Sequence, residues 1–245
     1  MNEITSTHNP HVKFLVKLAT DSRARVVEQQ FIADGVRTCS TLIKNGSTLL
    51  ELYCTYVQLE KAQELCADNK ITVVTEDVLK KISPSTTPSG MVARFAMPEQ
   101  PKQLTSGIVL VNISDPGNMG TLIRSCAAFG KKTVVIVEGT DPWNPKCVQA
   151  TVGTIGLVDI VQCSWDDLLA QKKQLTLHAL VVSGGKKLSK LTENSLLVIG
   201  NEAHGIAPQL LADCDELLTL EMPGGTESLN AGVAGSIALY VGSVL

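Results

Sequence analysis

The sequence lacks a strong excess of charge of either sign. Its 245 residues include 21 Lys and Arg against 24 Asp and Glu, a formal net charge of −3. This balance argues against a protein that coats nucleic acid by bulk electrostatics, although it leaves room for a local basic patch. The 44% hydrophobic content excludes disorder, and the 19 glycines and 10 prolines show no collagen-like period.

Signals for export and for disulfide pairing are missing as well. The first residues, MNEITSTHNPHVKFLVKL, are acidic and polar where a signal peptide needs a basic segment and an apolar run. Seven cysteines without a CxxC pair indicate reduced thiols that pack as small hydrophobes. Residues 228–245 carry no charge, but Asn230, serines and glycines dilute their hydrophobicity, so we expect a buried helix and not a membrane span. The sequence predicts a cytoplasmic protein that does not bind membranes.

Pattern and charge divide the chain at a linker, residues 98–101. Residues 1–100 alternate helix-like stretches with short apolar runs, which predicts a small α/β domain. Residues 101–245 contain six apolar runs separated by helix-sized intervals, at 108–113, 133–137, 157–161, 177–182, 196–199 and 217–220. Continuous apolar runs predict a mostly parallel sheet covered on both faces, with ligands bound beyond the C-terminal strand ends.

The first of three notable strand ends is NISDPGNMGTLIR, residues 112–124. Asp115 is a suitable N-cap with Pro116 in the first helical position, and we expect Asn118 in the turn before the helix. Taken alone, the segment is also an ordinary capped turn followed by a surface arginine, Arg124. It contains neither GxGxxG nor GK[ST], which excludes a dinucleotide fingerprint and a Walker loop.

The other two strand ends are LLVIGNEAHGI (196–206) and LEMPGGTESLN (220–230). In the second segment His204 has no partner at a metal-ligand spacing, so we predict a loop histidine and no metal site. The third segment leads into the terminal helix, which Ser228 or Asn230 would cap. Gly is poor inside helices, so Gly232 and Gly235 indicate a close backbone contact there.

In this order and at these separations, the three segments resemble the motifs of the SpoU (TrmH) family of S-adenosylmethionine-dependent RNA ribose 2′-O-methyltransferases. More weakly, THNPHVK and FIADGVR resemble the substrate-binding domain that precedes the catalytic domain in ribosomal-RNA members. The resemblance implies an RNA substrate-binding domain at 1–100 and an α/β trefoil-knot methyltransferase domain at 101–245. General rules on chain threading would not have predicted a knot. It also implies a homodimer, with the first and last helices of the catalytic domain at the interface.

The resemblance assigns individual residues too. The catalytic residues would be Asn118, Arg124, Glu202, Ser228 and Asn230. The residues that bind S-adenosylmethionine would be Ile199, Gly200, Leu220, Met222 and Leu229. Backbone groups and apolar packing would hold the adenine. The sequence departs from the family pattern at Glu221, where Pro is usual, and at Pro223, where a small residue is commoner, so the donor-loop conformation is the less secure part of the comparison.

The N-terminal residues offer contacts for RNA. Residues 1–44 contain six basic and four acidic side chains. The candidate phosphate contacts are Lys13, Arg23, Arg25 and Arg37. A 2′-hydroxyl acceptor would restrict the substrate to RNA. A guanidinium is a poor proton acceptor, so we expect Arg124 to hold the ribose and its phosphate bidentately.

Three functions stay open at this point. The first is 2′-O-methylation of RNA, with ribosomal RNA favoured over transfer RNA by the two-domain layout. The second is a non-catalytic RNA-binding or ribosome-assembly factor that retains the fold. The third is an α/β enzyme that binds a nucleotide or metabolite, which would leave the register of the three motifs as coincidence.

Overall fold

The computed structural model describes residues 2–244 and divides into two compact units. The first unit comprises the residues up to Glu99 together with Asp141–Gly156. The second comprises Gln100–Thr140 and the residues from Leu157 onward. The first division falls after Glu99, and residues 141–156 group with the first unit. The assignment of two domains at 1–100 and 101–245 stays a prediction.

Helices and strands alternate along most of the chain. The helices are α1 (Pro10–Thr20), α2 (Ser22–Glu28), α3 (Val36–Lys44), α4 (Leu59–Gln63), α5 (Glu76–Ile82), α6 (Pro116–Ala128), α7 (Pro145–Thr151), α8 (Trp165–Gln171), α9 (Pro208–Ala212) and α10 (Ala231–Val244). The strands are β1 (Asn2–Ile4), β2 (Gln30–Asp34), β3 (Leu49–Cys54), β4 (Ile71–Val74), β5 (Met91–Ala96), β6 (Gly107–Ile113), β7 (Thr133–Gly139), β8 (Asp159–Gln162), β9 (Thr176–Val181), β10 (Lys186–Lys187), β11 (Ser195–Ile199) and β12 (Glu216–Thr219).

The first unit is built on a mixed sheet of order β1-β4-β3-β5-β2. Helix α1 packs on it because Val12, Leu15 and Leu18 recur on one helical face and are buried. Its start is fixed by the side chain of Asn9, which accepts a hydrogen bond from the His11 N–H at 2.8 Å. Helix α1 is therefore amphipathic, with its apolar side buried.

The connection between β7 and β8 supplies part of the first unit. The Trp143 ring lies 4.8 Å from the ring of Phe31, centroid to centroid. At Gly153, which has φ +85°, an added Cβ would lie 2.8 Å from the carbonyl oxygen of Thr38. Only glycine allows that backbone to approach so closely. Residues 141–156 thus belong to the core of the first unit, although they follow a strand of the second.

Arg25 also belongs to this core. It is 2% exposed, and its guanidinium contacts the Asp141 carboxylate at 2.7 Å and donates to the carbonyl oxygen of Leu18 at 2.7 Å. A side chain held in this way is not available to an RNA phosphate. The prediction of Arg25 as an RNA contact is corrected here: its charge is used inside the protein.

The second unit is built on a seven-stranded sheet of order β10-β12-β9-β11-β6-β7-β8, in which every pair is parallel. All five residues of β11 are buried, and so are the first five of both β6 and β7. The mostly parallel, doubly covered α/β sheet predicted from the apolar runs is confirmed. The trefoil knot stays a prediction.

Helix α10 is partly buried. Gly235 faces α6 and β11, since an added Cβ would lie 2.4 Å from Leu122 Cδ2 and 2.6 Å from Ile199 Cδ1. This is the close contact that the glycines predicted. The opposite face is open, with Val233 and Tyr240 46% and 45% exposed. No helix in the described part of the chain is long and apolar enough to span a membrane; the cytoplasmic location stays a prediction.

Candidate active site

The three motif segments lie at the C-terminal ends of strands in one parallel sheet. Strand β6 ends at Ile113, β11 at Ile199 and β12 at Thr219, and the motif loops begin directly after these residues. Parallel strands direct their C-terminal ends to the same edge. The sheet therefore brings the loop after β6 to the same edge as two loops that begin about 85 and 105 residues later in the sequence.

Helix α6 begins at the cap that the sequence predicted. Asp115 is the N-cap, and its Oδ1 accepts a hydrogen bond from the Asn118 N–H at 2.7 Å. Pro116 occupies the first helical position, where its missing N–H costs nothing. Asn118 consequently lies inside the first turn of the helix, and the prediction that it sits in the preceding turn is wrong.

Glu202 fastens the loop after β11 to the start of α6. Its Oε1 accepts from the Asp115 N–H at 3.2 Å and from Asn118 Nδ2 at 3.0 Å. Its Oε2 accepts from the Ser114 N–H at 3.3 Å and from the Ser114 hydroxyl at 3.0 Å. Partial desolvation opposes ionisation, but the hydrogen bond from Asn118 and those from backbone N–H groups outweigh it and lower the pKa of Glu202 to about 2.

Asn118 connects Glu202 to the start of the terminal helix. While its Nδ2 donates to Glu202, its Oδ1 accepts from Asn230 Nδ2 at 3.0 Å. Asn230 Oδ1 in turn accepts from the Val233 N–H at 3.1 Å, so Asn230 is the helix cap that the sequence left open between it and Ser228. An added Cβ at Gly232 would lie 3.1 Å from Asn118 Oδ1. Glycine therefore leaves room for the asparagine pair.

Asn201 is a structural part of this site that sequence reasoning did not assign. Its Nδ2 donates to the carbonyl oxygen of Asn112 at 2.8 Å, and its Oδ1 accepts from the N–H groups of Ala203 and His204 at 2.9 and 3.1 Å. Asn112 has φ +53°, a left-handed conformation that asparagine tolerates better than most residues. The sequence feature that could have indicated this role is an Asn directly after Gly200, because an Asn side chain can accept hydrogen bonds from the backbone that follows it.

A cavity of about 340 Å³, here called the donor cavity, opens at this sheet edge. Its lining contains all five residues predicted to bind the methyl donor, namely Ile199, Gly200, Leu220, Met222 and Leu229. Two of the predicted catalytic residues, Glu202 and Ser228, line it as well. The structure thus collects seven of the ten predicted donor-binding and catalytic residues around one cavity.

Gly200 is required by the shape of the donor cavity. An added Cβ would lie 2.4 Å from the Gly205 carbonyl carbon, a distance that real Cβ atoms do not reach. The two ends of this small loop are joined by backbone hydrogen bonds between Asn201 and Gly205, at 3.0 and 2.9 Å. Any larger residue at position 200 would therefore displace the loop that carries Glu202.

Arg124 lies outside the lining of the donor cavity. It is exposed on α6, and its guanidinium has no hydrogen bond or ion pair within residues 2–244. Asn118 and Asn230 are also absent from the lining and act through Glu202 and the start of α10. Arg124 is thus a free cation on the helix that the polar network holds in place.

The two departures from the family pattern do not line the donor cavity. Glu221 points to the edge strand β10, where its Oε2 lies 2.6 Å from Lys187 Nζ. Pro223 is exposed. Between them, Met222 does line the cavity. Glu221 and Pro223 therefore flank Met222 in the sequence without lining the donor cavity themselves.

Two family models match this chain. The model described as the SpoU rRNA Methylase family matches residues 106–240, and the model described as the MRM3-like substrate binding domain matches residues 9–93. The first match covers more than half of the chain. The chain therefore belongs to the SpoU rRNA methylase family and is an RNA methyltransferase of that family.

Particular relatives cover nearly the whole chain. The 23S rRNA (guanosine(2553)-2'-O)-methyltransferase RlmP of Bacillus subtilis is 26% identical over 246 residues, which are 98% of each protein. A solved RNA 2'-O ribose methyltransferase is 26% identical, with a TM-score of 0.80, and covers 98% of this chain and 97% of its own. The AdoMet-bound rRNA methyltransferase from Sinorhizobium meliloti, 24% identical with a TM-score of 0.84 and with 98% and 97% coverage, shares the fold.

Proposed function

We propose that this protein transfers a methyl group from S-adenosylmethionine to a ribose 2′-hydroxyl of ribosomal RNA. The observation that carries the proposal is the donor cavity, whose lining collects the predicted donor-binding residues with Glu202 and Ser228. The names of the relatives RlmP and RNA 2'-O ribose methyltransferase support ribose as the site of methylation.

The donor cavity suits S-adenosylmethionine in size and in chemistry. Its volume of about 340 Å³ falls within the range of roughly 300–1,000 Å³ that is typical of small-molecule sites. Ile199, Leu220 and Leu229 give it apolar walls against which an adenine ring can pack. Because Gly200 has no side chain, the backbone N–H and C=O groups beside it stay accessible to the polar edge of the adenine ring. When bound, the donor would supply an electrophilic methyl group on a sulfonium.

Arg124 is the residue we assign to the acceptor. Its unpaired guanidinium presents a planar set of donors that matches the oxygens of a phosphate and an adjacent ribose. A guanidinium is a poor proton acceptor, so the contribution of Arg124 is alignment of the 2′-hydroxyl. Alignment alone can lower a barrier by about 7–11 kcal/mol.

Glu202, Asn118 and Asn230 are assigned as positioning residues. A carboxylate with a pKa of about 2 is a weak proton acceptor near neutral pH, which argues against Glu202 as a general base. Its hydrogen bonds instead tie the loop after β11 to the beginning of α6, the helix that carries Arg124. The network would fix the acceptor-binding helix relative to the donor cavity.

The first unit is proposed to bind RNA. Its sequence match to a substrate-binding domain supports this role for residues 1–100, with residues 141–156 as part of its core. Of the predicted contacts, Lys13, Arg23 and Arg37 are exposed and can reach a phosphate. Residues 101–140 and 157–245 are proposed to form the methyltransferase domain.

A homodimer is proposed on the open face of α10. Val233, Ile237, Tyr240 and Val244 follow one another at helical spacing and are 46%, 40%, 45% and 53% exposed. An exposed apolar stripe of this kind marks an interaction surface. We expect a dimer in sedimentation velocity and a monomer for Ile237→Glu, with exposed Val57→Glu as the control.

The test of the function is methylation of RNA with labelled S-adenosylmethionine. Ribosomal RNA should take up label at one position, and a transcript with 2′-deoxyribose there should take up none. Label in transfer RNA would instead indicate that substrate. Donor binding in calorimetry without transfer to any RNA would indicate a non-catalytic RNA-binding factor, and absence of donor binding would indicate a different α/β enzyme.

A further inference from the structure

The first unit contains an open groove of about 400 Å³ with a basic rim, here called the basic groove. It is lined by Thr7, His8, Val12, Lys13, Val16 and Lys81. Lys13 belongs to the segment THNPHVK and is one of the four basic residues predicted to contact RNA. The structure places Lys81, which no sequence motif connects with this segment, beside its residues His8 and Lys13.

Local folding explains why these residues meet. The Asn9 cap and Pro10 start α1 immediately after His8, so Lys13 lies in its first turn. Lys81 lies in the last turn of α5. The two helices share one hydrophobic cluster, which includes Val12 of α1 with Val78 and Ile82 of α5. Packing through that cluster holds basic side chains from both helices at one groove.

The charge of the basic groove is not neutralised within the chain. Lys13 and Lys81 are exposed, have no ion pair within the described residues, and no acidic side chain lines the groove. Lys61 of the same unit differs, since its Nζ lies 2.5 Å from Glu64 Oε2. Two unpaired ammonium groups at one concave surface attract an anion whose own charges can reach both.

The chemistry of the lining favours phosphate over a nucleobase. Lysine ammonium groups are donors only, and phosphate oxygens are acceptors only. Besides the imidazole of His8, the groove has no aromatic ring on which a base could stack, and its other uncharged lining residues are Thr7, Val12 and Val16. Such a surface fits the sugar-phosphate backbone of a nucleic acid, independently of base sequence.

We propose that the basic groove binds the phosphate backbone of the RNA substrate, with Lys13 and Lys81 contacting phosphates. The inference rests on the proposed function, because RNA is the polyanion on which that function acts. It makes Lys13 part of a two-helix site. Arg23 and Arg37 do not line this groove.

The test compares two double variants of the full chain that lose the same charge from the same unit. In Lys13→Ala with Lys81→Ala, binding to a ribosomal RNA fragment, measured by fluorescence anisotropy, should weaken at least about ten-fold at 100 mM salt. The slope of log K against log salt should fall by about 1.4 to 1.8, the loss of two phosphate contacts. The control, Lys44→Ala with Lys61→Ala, should change affinity less than about two-fold.

A second double variant, Lys13→Arg with Lys81→Arg, keeps the charge and changes the shape of the side chains. Its affinity for RNA should stay at the wild-type level. If the alanine double variant and its control have equal affinity and equal salt slope, the proposal that the basic groove binds RNA is refuted. That result would leave the proposed function untouched if the wild-type protein methylates RNA. Wild-type protein that binds RNA through the groove but methylates none would instead count against the proposed function alone.

Discussion

Replacing Asp141 by Ala should destabilise the first unit strongly. Asp141 Oδ2 accepts from Arg25 Nε at 2.8 Å and lies 2.7 Å from Arg25 Nη2. Without this carboxylate, the guanidinium keeps only the carbonyl oxygen of Leu18 as a hydrogen-bond acceptor among the described residues. Since Arg25 is 2% exposed, its charge would be left buried without a carboxylate partner.

The expected cost is about 3–5 kcal/mol, the usual penalty for removing one partner of a buried ion pair. The Asp141 side chain is 20% exposed, which favours the lower end of that range. Asp141 Oδ1 also accepts from the Trp143 N–H at 2.9 Å, and losing that bond adds about 1 kcal/mol. Arg25→Met with Asp141→Leu removes both charges and should recover most of the loss.

Tryptophan fluorescence isolates this effect. The chain has two tryptophans, Trp143 in the first unit and Trp165 in the second. In a Trp165→Phe background, Trp143 therefore reports on the first unit alone. A loss of about 3 kcal/mol should lower the urea midpoint by about 1–3 M, because m for a unit of this size is about 1–3 kcal/mol/M.

A midpoint shift below about 0.3 M would refute the reasoning, since it would mean that the pair contributes little. A double variant less stable than Asp141→Ala would refute it too. In that case apolar packing would not replace the charges, and the cost would come from volume and shape.

Three further predictions concern the active site. Glu202→Gln replaces an acceptor oxygen by a donor that faces N–H or O–H groups, so methyl transfer should fall at least about 100-fold. Since the pKa of Glu202 is lowered to about 2, its carboxylate stays charged as pH falls to about 4. The positioning role would be contradicted if the wild-type rate showed an inflection between pH 5 and 8 that this variant abolishes. Gly200→Ala should weaken donor binding in calorimetry at least about ten-fold through the clash with Gly205, while Gly224→Ala, whose Cβ would meet nothing within 4 Å, should not. Arg124→Lys keeps the charge but loses the planar fork, so methylation should fall at least about ten-fold with donor affinity unchanged; full activity would refute bidentate alignment.

Much of the second unit could be predicted from the sequence, because strands buried on both faces must be apolar throughout. The predicted runs at 108–113 and 196–199 differ from β6 and β11 by a single residue at one end. Strand β10 was missed because Lys186 and Lys187 carry no apolar signal. The place of residues 141–156 was also missed. Local sequence does not record which sheet a connection packs against.

The sequence suggested which residues form the candidate site, but it did not show which hydrogen bonds connect them. The resemblance placed Asn118, Glu202 and Asn230 together, yet it could not show that Asn118 is the central link. The role of Asn201 was hidden for a different reason. Its partner Asn112 is a backbone carbonyl acceptor, and carbonyl groups are present at every position of any sequence.

Charge shows most directly why composition underdetermines function. Arg25 and Lys13 contribute equally to a count of basic residues in the N-terminal segment, but the fold uses them in opposite ways. Arg25 is enclosed by Asp141 and Leu18, so its charge stabilises the unit. Lys13 is exposed beside Lys81, without an ion pair in the part of the chain that is described, so its charge is available to a ligand. A net charge of −3 is therefore compatible with binding RNA, because what an RNA meets is set by the cations that the fold leaves unpaired.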